Sequence, residues 1–139
     1  MKHLFYVKFV LQQNGRDVET VLRPRDEGVT FRLYTNDGLL YSSLALIALK
    51  NIFSKQLPKM PKEYIARLVF DRRHYSIAIC LHGKVIGGIC YRPYYQQRFA
   101  EIAFLAISGT EQVKGFGTLL MNHLKNHVQK DGKCILFIY

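Results

Sequence analysis

The chain has 139 residues, which fits about one domain, and 49% of them are apolar, enough for a hydrophobic core. Lysine and arginine total 20 against 10 acidic residues, giving a formal charge of +10 that favours an anionic partner, either a phosphate-rich cofactor or a nucleic acid. The basic residues never form a run of five, which excludes a basic arm, and no apolar stretch approaches the length of a membrane span.

The N-terminal residues, 1–28, carry no resemblance or pattern from which a structure can be predicted. Lys8 interrupts their apolar start and no small-residue cleavage site follows, so we interpret the start as part of a preceding region or as a locally packed strand or helix. Because no acidic residue occurs before Asp17, a cleaved organelle presequence is an alternative. We predict an N-terminal extension over residues 1–28 and one domain over residues 29–139.

Within the domain, hydrophobic periodicity predicts alternating strands and helices. The predicted elements are a strand at 29–34, a helix at 40–57, a short helix at 61–70, strands at 75–81, 84–92 and 99–107, a helix whose apolar stripe runs from Phe116 to Val128, and a strand at 134–139. The helix at 40–57 is predicted from apolar residues at helical spacing, namely Leu40, Leu44, Ile47, Ile52 and Phe53.

Proline and glycine refine this prediction. Pro58 ends the helix at 40–57, because proline lacks an N–H and clashes with the preceding turn. Gly87 and Gly88 inside a strand predict a bulge or a close approach of two backbones.

The last three predicted elements, a strand, a helix and a strand, predict a parallel crossover. The fold class is therefore α/β, a mixed sheet flanked by helices.

The segment between the strand predicted at 99–107 and the helix that follows it is rich in glycine and polar groups. It reads Gln112, Val113, Lys114, Gly115, Phe116, Gly117 and Thr118. Two glycines one residue apart let the backbone approach a ligand and turn its N–H groups toward it, and the following helix adds the positive end of its dipole. A dinucleotide fingerprint would need glycine where Leu120 stands, and a P-loop would need Gly-Lys-Ser/Thr. The sequence therefore predicts a pyrophosphate cradle of another kind, although Gly-x-Gly also opens many helices for structural reasons alone.

A Q-x-x-G-x-G cradle leading into a helix is similar to that of acetyl-CoA-dependent N-acyltransferases. Further segments resemble the Gcn-type (PCAF-like) histone acetyltransferases of the GNAT superfamily: Lys59–Asp71, Val85–Cys90, Glu111–Gly117 and Leu120–Lys125. The resemblance covers about residues 29–139 and implies the GNAT acyl-CoA N-acyltransferase fold. Since the family continues beyond the tyrosine that aligns with Tyr139, we expect the C-terminal part of the domain to be missing.

The resemblance also implies a mechanism with Glu101 as general base. A lysine ammonium, with a pKa of about 10.4, must lose a proton before its nitrogen attacks a thioester. A carboxylate among apolar neighbours such as Ile102, Phe104 and Leu105 could accept that proton, often through a water. The attack is then direct, in a ternary complex, and a backbone N–H near Leu105 holds the developing oxyanion.

The family resemblance assigns the cosubstrate, acetyl-CoA, to the strand edge and the cradle. The pantetheine arm is expected along Leu105, Ala106 and Ile107, and the pyrophosphate on the backbone from Gln112 to Thr118, with Lys114 helping to attract phosphates. Leu105 stands where the family has cysteine and Phe116 where it has tyrosine. Both changes should be tolerated, since the contacts run through the backbone and the thiol is not a nucleophile.

The partners implied are a lysine of the histone H3 tail and subunits of a transcriptional coactivator complex, in the nucleus, without a membrane, a metal or a directly bound nucleic acid. One alternative is a GNAT acyltransferase for another protein or a small amine. Another is a non-catalytic module that binds acetyl-CoA or nucleic acid, with a stacking patch at Tyr91, Arg92, Tyr94, Tyr95 and Arg98.

Two further sets of side chains are candidates for a metal or redox site. His123 and His127 have metal-ligand spacing on a helix, but no third ligand is evident and a packed or solvated pair is the better interpretation. The odd number of cysteines without a C-x-x-C pair indicates buried reduced thiols. They are Cys80, Cys90 and Cys134.

Overall fold

A computed structural model describes residues 9–10, 27–112, 114–130 and 136–138. The strands are β1 (Phe9–Val10), β2 (Val29–Tyr34), β3 (Tyr75–Leu81), β4 (Lys84–Tyr94), β5 (Phe99–Ile107) and β6 (Leu136–Ile138), and the helices are α1 (Leu40–Gln56), α2 (Lys62–Val69) and α3 (Phe116–Lys130). A short 3-10 turn at Gly109–Glu111 separates β5 from α3. The predicted α/β order is confirmed, with β4 two residues longer than expected.

The strands form a single mixed sheet in the order β1-β6-β5-β4-β3-β2. Neighbours pair antiparallel except β5 and β6, which are parallel and joined through α3. The predicted crossover is therefore confirmed. The short strand β1 pairs antiparallel with β6, which agrees with one interpretation of the N-terminal start, a locally packed strand. Most of the predicted extension, residues 1–28, lies outside the described residues.

Local sequence signals explain the ends of several elements. The tight β3–β4 hairpin turns at His82 and Gly83, both with positive φ, of 49° and 80°. At the end of α1, the N–H of Leu57 donates to Phe53 before Pro58 stops the helix. The described part of the chain contains no helix long and apolar enough to cross a membrane.

The sheet separates two hydrophobic layers. One face packs against α3 through buried residues that include Ile102, Leu120 and Leu124. The other face packs against α1 and α2, with Phe53 and Phe104 among the buried side chains. This arrangement leaves the C-terminal end of β5 and the start of α3 at one edge, where they can meet a ligand.

Irregularities in β4 and β5 decide which side chains share a face. In β4, Ile86 is an extra residue beside Gly87, so the bulge predicted around the glycine pair is confirmed. In β5, Cys90 pairs with Phe104 and Tyr91 with Ile102, which leaves Ala103 as an extra residue. A bulge of this kind turns the following side chains to the opposite face. Ile102 accordingly packs on the α3 side, whereas Phe104 packs on the α1 and α2 side.

The expectation of buried thiols is confirmed for two of the three cysteines. Cys80 and Cys90 are free and buried. Burial raises the pKa of the Cys90 thiol to about 12, so it is protonated at neutral pH. The prediction for Cys134 lies outside the described residues.

Candidate active site

The cradle begins where β5 ends. After the 3-10 turn, Gln112 is extended, Gly115 has a φ of 83°, and α3 begins at Phe116. Phe116 is buried at 6% exposure and fixes the start of the helix in the α3 layer of the core. A Cβ added to Gly117 would meet no atom within 4 Å. Since no side chain covers the backbone there, a ligand can approach it closely.

The two charged groups next to the cradle neutralise each other. The Nζ of Lys114 lies 2.9 Å from Oε2 of Glu111, and its side chain is 56% exposed. An anion near the cradle therefore meets a cation already bound to a carboxylate rather than a free one. Val113, also predicted to bind the cofactor, lies outside the described residues.

The C-terminal half of β5 has an open edge. Among the described residues, β6 pairs with β5 only from Phe99 to Glu101, while β4 pairs with it as far as Ile107. Within the described part of the chain, the backbone of Leu105–Ile107 therefore has a strand on one side only. Such an edge offers N–H and C=O groups to an extended ligand, which can add as a further strand.

Close packing of β4 supports this open edge from the other side. A Cβ on Gly87 would lie 2.7 Å from the carbonyl oxygen of Ala106 and 3.0 Å from the Cα of Ile107. Only glycine permits this approach of the two backbones, so the close approach predicted for the glycine pair is confirmed.

The open edge and the cradle meet in one cleft of about 340 Å³, a size typical of ligand sites. Its lining includes most of the predicted cofactor residues: Leu105, Ala106, Ile107, Gln112, Gly115, Phe116 and Gly117. Lys114 and Thr118 are exposed and do not line it. The remaining lining residues were not predicted: Gln56, Leu57 and Glu111. Two of these come from the end of α1, about fifty residues before the cradle, and no sequence motif links them to it.

Glu101 lies at the last residue pair between β5 and β6, opposite Ile138 on one side and Arg92 on the other. Its side chain is exposed. The sequence suggested apolar surroundings, but Ile102 packs toward α3 instead, because side chains alternate between faces along a strand. Glu101 is thus a solvent-accessible carboxylate at the last described residue pair of the parallel strands.

A buried histidine lies in the same part of the sheet. His74 directly precedes β3, and its side chain is only 8% exposed, with Nδ1 at 3.9 Å from Oδ2 of Asp71. Nδ1 has no hydrogen-bond partner among the described residues. Burial lowers the pKa of His74, although the Asp71 and Glu101 carboxylates oppose that shift. Its neutral form is therefore favoured at neutral pH.

Two tyrosines of the patch proposed for nucleic-acid stacking pack against aromatic residues outside the patch. Tyr91 is buried and stacks on Tyr75, while Tyr94 stacks on Phe99. The guanidinium of Arg92 lies 4.6 Å from the centre of the Tyr94 ring. These faces are occupied within the protein, so they do not form an open platform for bases.

One histidine of the pair on α3 packs against the sheet. His123 stacks on Phe31 of β2, with ring centroids 4.1 Å apart and an interplanar angle of 7°. Within the part of the chain that the structure describes, no group of three or more His, Cys, Asp or Glu residues could hold a metal ion.

Comparison with known proteins agrees with this geometry. Residues 45–139 match the family described as Acetyltransferase (GNAT) family. The chain belongs to this family. The GNAT match includes β5, the cradle and α3, the parts that form the cleft.

Relatives of this GNAT chain include the histone acetyltransferase GCN5 of Oryza sativa, which is 54% identical over 112 residues, covering 80% of this chain and 22% of the relative. A GCN5 from Yarrowia lipolytica is 50% identical over 119 residues, covering 85% of this chain and 26% of the relative. The chain thus spans about a quarter of the length of these curated relatives.

Among solved structures, the fold is similar to the crystal structure of Tetrahymena GCN5, with a TM-score of 0.72 and 59% identity, covering 75% of this chain and 66% of that one. It is also similar to the catalytic domain of Tetrahymena GCN5 histone acetyltransferase in complex with coenzyme A, with a TM-score of 0.65 and 58% identity, covering 76% and 64% of the two chains.

Proposed function

We propose that this chain is the catalytic part of a histone lysine acetyltransferase, which transfers acetyl from acetyl-CoA to a lysine ε-amine of the histone H3 tail. The observation that carries the proposal is the cleft in which the open edge of β5 meets the cradle, because an acyl-CoA needs both an extended groove and an anion site. The high identity to proteins named histone acetyltransferase supports the reaction and the substrate class.

In this proposal, the pantetheine arm of acetyl-CoA pairs with the backbone of Leu105–Ile107. The pyrophosphate lies on the backbone N–H groups between Gln112 and Thr118, at the positive end of α3. Because Gly117 has no side chain, the pyrophosphate can approach the backbone closely there. The excess of basic residues adds a general attraction for the polyanionic cofactor.

Glu101 is proposed as the general base. It removes a proton from the lysine ammonium through a water, and the free amine then attacks the carbonyl carbon of the thioester. A C–N bond forms, the C–S bond breaks and coenzyme A leaves as a thiolate that takes up a proton. The accessibility of Glu101 supports this role, since both the substrate lysine and a bridging water must reach the carboxylate.

The bulge at Ala103 determines on which face of the sheet the proposed base lies relative to the proposed cofactor edge. Without the extra residue, Glu101 and Phe104 would lie on opposite faces, because an odd separation along a strand inverts the side chain. With it, both belong to the α1 and α2 face. The acetyl group is expected at Leu105, so a lysine entering over this face would meet the base and the thioester together.

The proposed substrate implies partners and a location. We expect the protein to act in the nucleus, together with subunits of a transcriptional coactivator complex. The proposed domain covers residues 29–139, with residues 1–28 as an extension. An acetyltransferase for another protein or a small amine would use the same cleft but a different acceptor.

The acceptor can be tested directly. The chain is incubated with acetyl-CoA and a peptide of the H3 tail, and the peptide mass is followed beside a peptide in which every lysine is arginine. The proposal predicts a mass gain of one acetyl group on the lysine peptide only. Binding of acetyl-CoA without transfer to any peptide would contradict the histone assignment, and absence of acetyl-CoA binding would contradict the enzyme class.

A further inference from the structure

A relay of hydrogen bonds fixes the orientation of two glutamine side chains at the cleft. The carbonyl oxygen of Ile107 can only accept a hydrogen bond, so the Gln112 amide atom at 3.0 Å from it must be the nitrogen, Nε2. The same Nε2 lies 2.9 Å from the Gln56 side chain. Because Nε2 has no lone pair to accept with, the Gln56 atom facing it must be the oxygen, Oε1.

This assignment leaves the Gln56 nitrogen available. With Oε1 held by Gln112, the Nε2 of Gln56 carries two N–H donors, and the structure shows no hydrogen bond from them to another described residue. A Cβ placed on Gly109 would lie 3.3 Å from this Nε2, so the amide lies against the turn that precedes the cradle. Gln56 also lines the cleft, together with Leu57.

We propose that Gln56 is a cofactor-binding residue whose Nε2 donates a hydrogen bond to an acceptor oxygen of acetyl-CoA in the cleft. Gln112 is the positioning residue that holds the Gln56 amide in this donating orientation. The proposal rests on the proposed function, since it takes the ligand of the cleft to be an acyl-CoA. It extends the site to α1, and it gives Gln112 a role for its side chain as well as for its backbone.

A purely structural tie between α1 and the turn is the competing explanation of the relay. The substitution Gln56→Glu separates the two, because a carboxylate still accepts from Gln112 but has no N–H to donate. A structural tie would keep both the melting temperature and the affinity for acetyl-CoA. The proposed contact predicts an unchanged melting temperature and a dissociation constant for acetyl-CoA raised about tenfold, the loss expected for one hydrogen bond to a polar ligand group.

Two further variants control for the added negative charge. Gln97→Glu makes the same chemical change in the exposed turn between β4 and β5, so a general loss of electrostatic attraction would appear there as well. Gln56→Leu removes the donor without adding a charge and should weaken binding like Gln56→Glu. We expect Gln97→Glu to bind acetyl-CoA as the unmodified chain does.

The cofactor group that accepts the hydrogen bond can be found by repeating the titration with acetyl-pantetheine. An acceptor on the pantetheine arm predicts that Gln56→Leu weakens both ligands by the same factor, whereas an acceptor on the pyrophosphate predicts a loss for acetyl-CoA alone. The proposal is overturned if Gln56→Glu and Gln56→Leu bind acetyl-CoA as tightly as the unmodified chain. If the unmodified chain itself binds no acetyl-CoA, the proposed function fails instead.

Discussion

The two halves of β5 differ in how their edges are used. From Phe99 to Glu101 the strand has β4 on one side and β6 on the other, whereas from Leu105 to Ile107 it has β4 alone among the described residues. The first half ends in an accessible carboxylate, and the second half lines the cleft with the cradle. One strand therefore offers an acid–base group and a backbone edge within a few residues of each other.

This difference shows how a regular sheet can create a ligand site. An unpaired edge inside a protein is normally covered, because its N–H and C=O groups invite pairing. Among the described residues, β6 pairs with β5 as far as Glu101, and the backbone of β5 beyond it is supported from behind by the contact between Gly87 and β5. The candidate site is thus a backbone edge on a firmly packed strand.

The largest effect is expected on the catalytic rate when the proposed base, Glu101, is replaced, with no effect on cofactor binding at the edge of β5. Glu101→Gln keeps the shape of the side chain but cannot accept the lysine proton, so kcat should fall about a hundredfold or more, while the dissociation constant for acetyl-CoA stays unchanged. Steady-state rates with an H3 peptide and a calorimetric titration measure the two quantities. Glu63→Gln, in an exposed position of α2, is the matched control. An undiminished rate for Glu101→Gln would remove this residue from the mechanism.

Gly87→Val should damage the supported half of β5. A Cβ there lies 2.7 Å from a backbone oxygen that can move only with the strand, so the free energy of unfolding should fall by about 1–3 kcal/mol or more and acetyl-CoA binding should weaken. Thermal melts and a titration on the same preparation measure both losses. A variant of unchanged stability would show that the close packing of β4 does not fix the edge.

Unlike Gly87→Val, Gly117→Ala should weaken acetyl-CoA binding without lowering stability. Nothing lies within 4 Å of the added Cβ, and alanine favours a helix over glycine by about 0.5–1 kcal/mol, so the melting temperature should stay or rise. Affinity for acetyl-CoA should nevertheless fall, since the new methyl group stands where the pyrophosphate approaches the backbone. If affinity is retained with the higher melting temperature, the cradle does not hold the pyrophosphate at this residue.

The smallest expected effect concerns pH. Burial lowers the pKa of His74 in the folded state below that in the unfolded chain, which is about 6.5. The unfolded state therefore binds a proton more readily, and stability should fall as the pH decreases from about 7 through the folded-state pKa. In His74→Gln the difference in melting temperature between pH 7.5 and pH 5 should be smaller than in the unmodified chain. His127→Gln is the control on α3, and an equal reduction in both variants would contradict the assignment to His74.

The two long helices, α1 and α3, differ in how well the sequence predicts their buried faces. In α3 the predicted apolar stripe is fully buried: Phe116, Leu119, Leu120, Leu124 and Val128. In α1, three of the residues whose spacing predicted the helix are exposed, at 75%, 58% and 41%: Leu40, Leu44 and Ile47. Leu46 and Leu49 are buried instead. Apolar residues occur around most of α1, so periodicity predicts the helix but does not identify its buried face.

In the candidate site, too, some features can be predicted from the sequence and others depend on the fold. A local motif predicts the cradle, and the family resemblance implies the edge of β5 as the place for the cofactor. The extra residue Ala103 depends on pairing with β4, and the position of Gln56 depends on how α1 packs across the sheet. Neither is encoded by a short pattern, so only the folded structure reveals them.

Amide hydrogen exchange along β5, with and without acetyl-CoA, tests the difference between its halves most directly. We expect the cofactor to add protection over Leu105–Ile107 and the start of α3, because the open edge and the cradle gain hydrogen-bond partners. Protection over Phe99–Glu101 should change little, since that half is paired on both sides already. Unchanged exchange at Leu105–Ile107 under saturating acetyl-CoA would contradict the proposal that this edge binds the cofactor.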